Sequence, residues 1–334
     1  MNFPKEFIFN GTVESCHAST LLELKDSTFL VACFEGSGEG KEDVGIRLMH
    51  RHSAGQWNGQ RIKIANEPHW NPVLFRLAGR NTIALYFKVG RQIPDWKTFV
   101  SYSTDEGTSW TPPAELVPDD RSGGRGPVKN KPILLNNGVI AAPASVERKH
   151  WSAFVDLSGD DGRTWVRSAP VPMPHLLTDN RNGNDSLLGV IQPTLWESAP
   201  DMVHMLLRSN NHRIYRSDSP DGGRSWCEIY PTGLPNNNSG IDLVKLADGT
   251  LLLLCNPISE NWGTRRKLSL FLSEDNGNTW PCQRVLENAA EETTPAEFSY
   301  PAIISLGKDE IALTYTVHRR DIAFLKGRIQ DFFS

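Results

Sequence analysis

Six short stretches of this sequence collect side chains that bind ligands and move protons. They are Cys16, His17 and Ser19; His69, Trp70 and Asn71; Lys129, Asn130 and Lys131; Ile191 and Gln192; Asn237, Asn238 and Ser239; and Glu297, Ser299 and Tyr300. Each stretch stands just before an apolar run. The residues that close the next run in each case are Glu35, Lys88, Glu147, Arg208, Asn256 and the trio His318, Arg319 and Arg320. Brought to one place, these amides, imidazoles, phenol and cations would hold a polar ligand carrying negative charge, such as an acidic sugar. Taken singly, each has a plainer use. His69 at the start of a strand is more often hydrogen-bonded scaffold than catalyst, Lys88 and Lys131 read as solvated, and Asn237 and Asn238 suit a turn. The ligand reading is favoured because all six stretches are polar at equivalent places, which packing alone does not require. No HExxH, EF-hand, dinucleotide or phosphate-loop pattern is present, so no metal or cofactor is expected.

The elements that must position these groups are strands. Residues 20–35, 72–89, 132–146, 193–208, 241–256 and 301–317 each read as an apolar strand, a turn and a second apolar strand, with Asn137-Gly138 and Asp248-Gly249 as hairpin signals. An octapeptide, Ser-x-Asp-x-Gly-x-Ser/Thr-Trp, occurs in four copies, ending at Trp110, Trp165, Trp226 and Trp280. A worn fifth copy keeps Gly55 and Trp57. Its chemistry is that of a turn: the carboxylate accepts from turn amides, the glycine takes a positive φ, and the indole covers a neighbouring unit. Four copies argue for staples rather than catalysts. The repeat recurs at about 55 residues, no long 3.6-residue period appears, and helices should be few. An all-β, six-bladed β-propeller follows, one domain over residues 1–334. The last unit lacks an octapeptide and an outer strand, which residues 6–10 are placed to supply.

At these residues the chain resembles the sialidase (neuraminidase) superfamily with its BNR or Asp-box repeats, over essentially its whole length. The resemblance implies a sialidase-like propeller with a three-arginine clamp for the substrate carboxylate. His17, before Ala18-Ser19-Thr20-Leu21, stands where the first arginine belongs, while Arg208 and Arg265 are similar to the second and third. It implies an acid/base aspartate on the loop of residues 36–43, hence Asp43, and a tyrosine nucleophile, Tyr300. Glu297 and Glu147 compete as the carboxylate that partners that tyrosine. A histidine cannot reproduce the bidentate fork of an arginine, and it titrates near neutrality. Arg125, Lys129 and Lys131 could meet the acidic sugar from another side, with His69, Asn71, Gln192 and Asn238 completing the binding set. The leading expectation is a glycoside hydrolase on an acidic-sugar glycoside. One alternative is a polysaccharide lyase using His17 and Tyr300 with Arg125 or Lys131. Another is a propeller that binds carbohydrate without catalysis.

Composition narrows the partners. The 334 residues carry a net charge of −4 with both signs scattered, so no basic footprint points to nucleic acid, and no apolar run is long enough to span a bilayer. Five cysteines without CxxC spacing read as free thiols, and no leader-like stretch opens the sequence; a cytoplasmic location is expected.

Overall fold

The computed structural model describes residues 4–174, 188–291 and 295–334. Its strands form six four-stranded antiparallel sheets that follow one another in chain order. From first to sixth blade, the inner strands are Ser15–Glu23, His69–Leu77, Ile133–Leu134, Val190–Ala199, Asp242–Lys245 and Phe298–Gly307. Glu6–Phe7 forms the outermost strand of blade six, with Glu6 opposite Phe324 and Phe7 opposite Ala323. Glu6 also receives a bidentate Arg51 guanidinium and the Trp57 indole N–H from blade one, so the N-terminal strand ties the last blade to the first.

Side chains alternate along each strand, so every sheet offers an apolar face to each neighbour. On the second strand of blade one, Leu30, Ala32 and Phe34 pack towards blade two, whereas Phe29, Val31 and Cys33 pack towards blade six. Six apolar clusters fill the gaps between successive blades and close the ring.

The four octapeptides are turns between third and fourth strands. In the first, Ser103 and Ser109 donate to the Asp105 carboxylate through hydroxyl and amide, and Trp110 Nε1 donates to the Gly107 carbonyl at 2.9 Å. Gly107 lies at φ +84 against Leu30 of the preceding blade; a Cβ there would approach Leu30 Cδ2 to 2.9 Å. Blade six has no such turn. There the C-terminal helix Ile329–Phe333 packs instead, and a cavity of about 690 Å³ remains between blades five and six, lined by Leu246, Leu272, Cys282 and Phe333 among others.

Four of the six inner strands share one irregularity at their first residues. Pairing slips between His17 and Thr20, Trp70 and Val73, Ile191 and Thr194, and Ser299 and Ala302. Within each slip one residue is left-handed: Ala18 (φ 56), Asn71 (φ 42), Gln192 (φ 51) and Tyr300 (φ 50). Asn238, just ahead of the blade-five strand, is the same (φ 59). Non-glycine residues in this region cost about 1–3 kcal/mol each and are found where a side chain must be re-aimed.

Candidate active site

Three of these left-handed strand starts meet at one guanidinium, that of Arg208. Tyr300 Oη accepts a hydrogen bond from Arg208 Nη1 at 2.7 Å. The same Nη1 donates to Gln192 Oε1 at 3.0 Å, and Arg208 Nε donates to Asn238 Oδ1 at 2.8 Å. Arg208 is the last residue but one of the second strand of blade four and is 3% exposed, so its direction is set by neighbours from blades four, five and six. The indoles of Trp151 and Trp262 flank its guanidinium at 5.9 and 5.7 Å, and Trp262 remains 64% exposed.

His17 completes the floor. Its ring centroid lies 4.2 Å from that of Tyr300, Nδ1 is 3.0 Å from Thr316 Oγ1, and Nε2 has no hydrogen-bond partner among the described residues. Burial, with Arg319, Arg265, Lys129 and Arg208 around it, holds the imidazole well below its ordinary range, so it is neutral.

Two carboxylates border the cluster, and their surroundings shift them in opposite directions. Burial works against the Glu297 anion, but Arg265 (Nη1 to Oε1, 2.9 Å), Arg319 (Nε to Oε2, 3.0 Å) and Ser299 outweigh it and keep it below the usual glutamate range. Arg319 also pairs with Glu39 from the loop of residues 37–44. Glu147, at the end of the second strand of blade three, is instead raised: burial dominates over the favourable Arg208 charge and the Gln192 hydrogen bond. A carboxyl so raised keeps its proton to higher pH, which suits a proton donor.

The remaining residues singled out from the sequence have other partners or are simply buried. Asp43 is exposed, with its carboxylate taken by the Ser37 amide (2.7 Å) and hydroxyl (2.8 Å), which holds it below the usual aspartate range. It lines a polar groove of about 470 Å³ with Thr12, Glu14, Glu35, Arg47 and Arg61, and among the described residues it makes no hydrogen bond or ion pair with Tyr300, Arg208 or Arg265. Arg125 forks onto buried Asp156 (Nη2 to Oδ1, 2.7 Å), and its carbonyl accepts from the buried Lys88 ammonium. Lys131 is bound to Asp242 at 2.8 Å. His69 donates from Nδ1 to the Glu67 carbonyl and accepts the Ile64 amide at Nε2, a scaffold role. Asn71 is buried at the blade-two bulge.

Trp151, Trp262, Asn261 and Glu39 reach this cluster without having stood out in the sequence. Trp151 could have been found, since it pairs across the hairpin with Glu147; the loop holding Trp262 carries no comparable signal. Among the described residues no group of three His, Cys, Asp or Glu side chains is placed to hold a metal ion, and no helix is long and apolar enough to cross a membrane.

Comparison with known proteins places this geometry in context. The family model for the BNR repeat-like domain matches residues 27–312. A sialidase of Clostridium perfringens is 26% identical over 151 residues, 43% of this chain and 38% of that protein, so the match spans well under half of the relative. Among solved structures, the Hadza microbial sialidase Hz136 superposes with a TM-score of 0.76 at 15% identity, covering 96% of this chain and 67% of that one. The NanB sialidase from Streptococcus pneumoniae gives 0.73 at 12% identity, covering 98% and 71%. At such identities the structural likeness speaks for the fold alone.

Proposed function

Because this chain belongs to the BNR repeat-like domain family, within the sialidase superfamily, we propose that it is a glycoside hydrolase acting on the glycoside of an acidic sugar. The observation that carries the reading is the 2.7 Å bond from Arg208 to the Tyr300 hydroxyl, made by a guanidinium that has no carboxylate partner among the described residues. A phenol is the right nucleophile when the sugar is itself anionic, because a carboxylate would be repelled.

In this reading the sugar carboxylate docks on Arg208, and the Tyr300 oxygen attacks the anomeric carbon as the glycosidic C–O bond breaks. The phenolic proton passes to neutral His17, whose Nε2 is free. The leaving oxygen takes a proton from Glu147, which burial keeps protonated to higher pH than Asp43, turned as that is to Ser37. Water then attacks the anomeric carbon, the bond from that carbon to the Tyr300 oxygen breaks, Glu147 accepts the water proton, and protonated His17 returns its proton to the phenolate. Glu297 orients Arg265 and Arg319 instead of touching the phenol, since both of its oxygens are engaged.

A second reading rests on the 4.2 Å His17–Tyr300 pair: a lyase in which one of them removes the proton α to a uronate carboxylate and cations stabilise the negative charge that develops. One experiment separates the two. The purified protein is incubated with sialosides, uronate glycosides and uronic-acid polysaccharides, and both new reducing ends and the ultraviolet absorbance of an unsaturated uronate are followed. Reducing ends without absorbance, lost in Tyr300→Phe while the sugar still binds, support the hydrolase. Absorbance supports the lyase, and reducing ends that form undiminished in Tyr300→Phe remove the hydrolase.

A further inference from the structure

Blade three begins irregularly: its inner strand is only two residues long, and the three residues just before it reach across to other blades. Asn130 Nδ2 donates to the Gln192 and Pro193 carbonyls of blade four at 3.1 and 2.9 Å. Lys129 Nζ donates to the Ile241 carbonyl ahead of the blade-five strand at 3.0 Å, to Asn130 Oδ1 at 2.9 Å, and to the Pro301 carbonyl of blade six. Lys131 Nζ donates to Asp242 and to the Leu243 carbonyl of blade five. One tripeptide therefore grips the strand starts that present Gln192, Asn238 and Tyr300. Lys129 is the member closest to the chemistry. Its ammonium lies 6.0 Å from the Tyr300 ring centroid, and its stem and that ring close over Gly240, where a Cβ would come within 3.2 Å of Lys129 Cε and 3.3 Å of Tyr300 Cγ.

Charge separates Lys129 from the other cations nearby. Arg265 and Arg319 share Glu297, Arg319 also meets Glu39, Lys131 meets Asp242 and Arg125 meets Asp156. Among the described residues, Lys129 and Arg208 have no carboxylate within ion-pair distance, and all three acceptors of Lys129 are neutral oxygens. Leaving a buried cation without a counter-ion is costly, and such an arrangement persists where an anion arrives from outside.

The geometry points to Lys129 as a positioning residue of this pocket, one that holds the Tyr300 bulge from beneath and supplies, with Arg208, the positive charge that an anionic sugar neutralises. This rests on the reading of Tyr300 as the reacting group and refines its ligand: the anionic group is held on the Arg208 and Lys129 side, not on the already paired Arg265 and Arg319. Lys129 never touches the sugar; its effect passes through Tyr300 and through the field. Burial brings the ammonium down to about 7, with Lys131 and Arg208 acting in the same direction and Asp242 opposing them. The Tyr300 ring faces it and the His17 imidazole beside that ring is neutral, so its charge fades as the solution becomes alkaline.

The test uses the full chain with N-acetylneuraminic acid and glucuronic acid as anionic probes and N-acetylglucosamine as the neutral control, followed by calorimetry. Wild-type affinity for the anionic probe that binds should fall as pH rises from about 6 to about 9. Lys129→Met should weaken that probe roughly tenfold at the lower pH and flatten the profile, whereas Lys129→Arg should keep the affinity. Wild-type affinity and an unchanged pH profile in folded Lys129→Met would overturn the inference. If Lys129→Met does not fold, Lys129→Gln makes the same comparison. If no probe binds wild type, the functional reading fails by itself, and positioning is judged from the ¹³Cζ resonance of Tyr300, identified by its loss in Tyr300→Phe. Movement or broadening of that resonance in Lys129→Met but not in Lys129→Arg upholds the positioning role, and an unmoved resonance refutes it.

Discussion

Arg208 and Tyr300 are 92 positions apart and sit on blades four and six, yet a single 2.7 Å hydrogen bond joins guanidinium to phenol. Arg208 spends that same nitrogen on Gln192 and its Nε on Asn238, so one side chain links three left-handed strand starts. The arrangement makes Arg208 different in kind from Arg265, whose guanidinium is already engaged by Glu297.

That difference predicts unequal losses. Arg208→Lys should cost about 1.5–3 kcal/mol in binding an acidic sugar, because a point charge replaces a fork that made several charge-assisted bonds. Arg265→Lys should cost less, since its main partner is an internal carboxylate. Calorimetric titration of both variants checks the order; equal losses would mean that the anion sits between the two arginines.

Gly240 should be sensitive for its place, not for backbone strain. A methyl there meets Lys129 Cε and the Tyr300 ring at 3.2–3.4 Å, a distance at which the neighbours must give way. Gly240→Ala is expected to lower turnover roughly tenfold or more through displaced reacting groups while leaving the melting temperature within a few degrees. A large thermal loss with unchanged turnover would show the opposite.

Gly107→Ala should act on stability alone. Its φ of +84 and the 2.9 Å approach to Leu30 combine strain with a clash at the dock between blades two and one, so a loss of about 1–3 kcal/mol is expected in urea unfolding. Ligand affinity, set at the other end of the blades, should not change.

His69 gives the acid limb of stability a defined start. Its Nε2 accepts the Ile64 amide, so protonation there would face one N–H with another. Burial brings its folded value down to about 4 from an unfolded 6.5. The unfolded chain therefore binds this proton first: the contribution is complete above 6.5 and is lost as pH falls through 6.5 towards 4. His69→Asn should flatten unfolding free energy across that window. Below it, Asp105, Asp221 and Asp275, held down to about 2 by their turn hydrogen bonds or, for Asp221, by those bonds against burial, should prolong the decline.

The blades were legible in the sequence because their signals are local. A Ser-x-Asp-x-Gly turn closes on its own side chains within eight residues, and an apolar strand followed by Asn-Gly or Asp-Gly folds back on itself whatever surrounds it. The common polar character of the strand starts was legible for the same reason, and with it the shared neighbourhood of His17, Arg208 and Tyr300.

Which of those polar groups face one another was decided only by the tertiary structure. Arg125 and Lys131 look from the sequence like free cations beside Lys129, yet folding brings Asp156 and Asp242 to the first two and no carboxylate among the described residues to the third. Glu39 and Asp43 lie on one loop, but Glu39 reaches Arg319 while Asp43 turns back to Ser37. Such outcomes depend on bulge direction and on partners far along the chain, 280 positions apart for Glu39 and Arg319. A residue's type sets what chemistry it can do; the closing of the ring sets which charges are cancelled and which remain for a ligand.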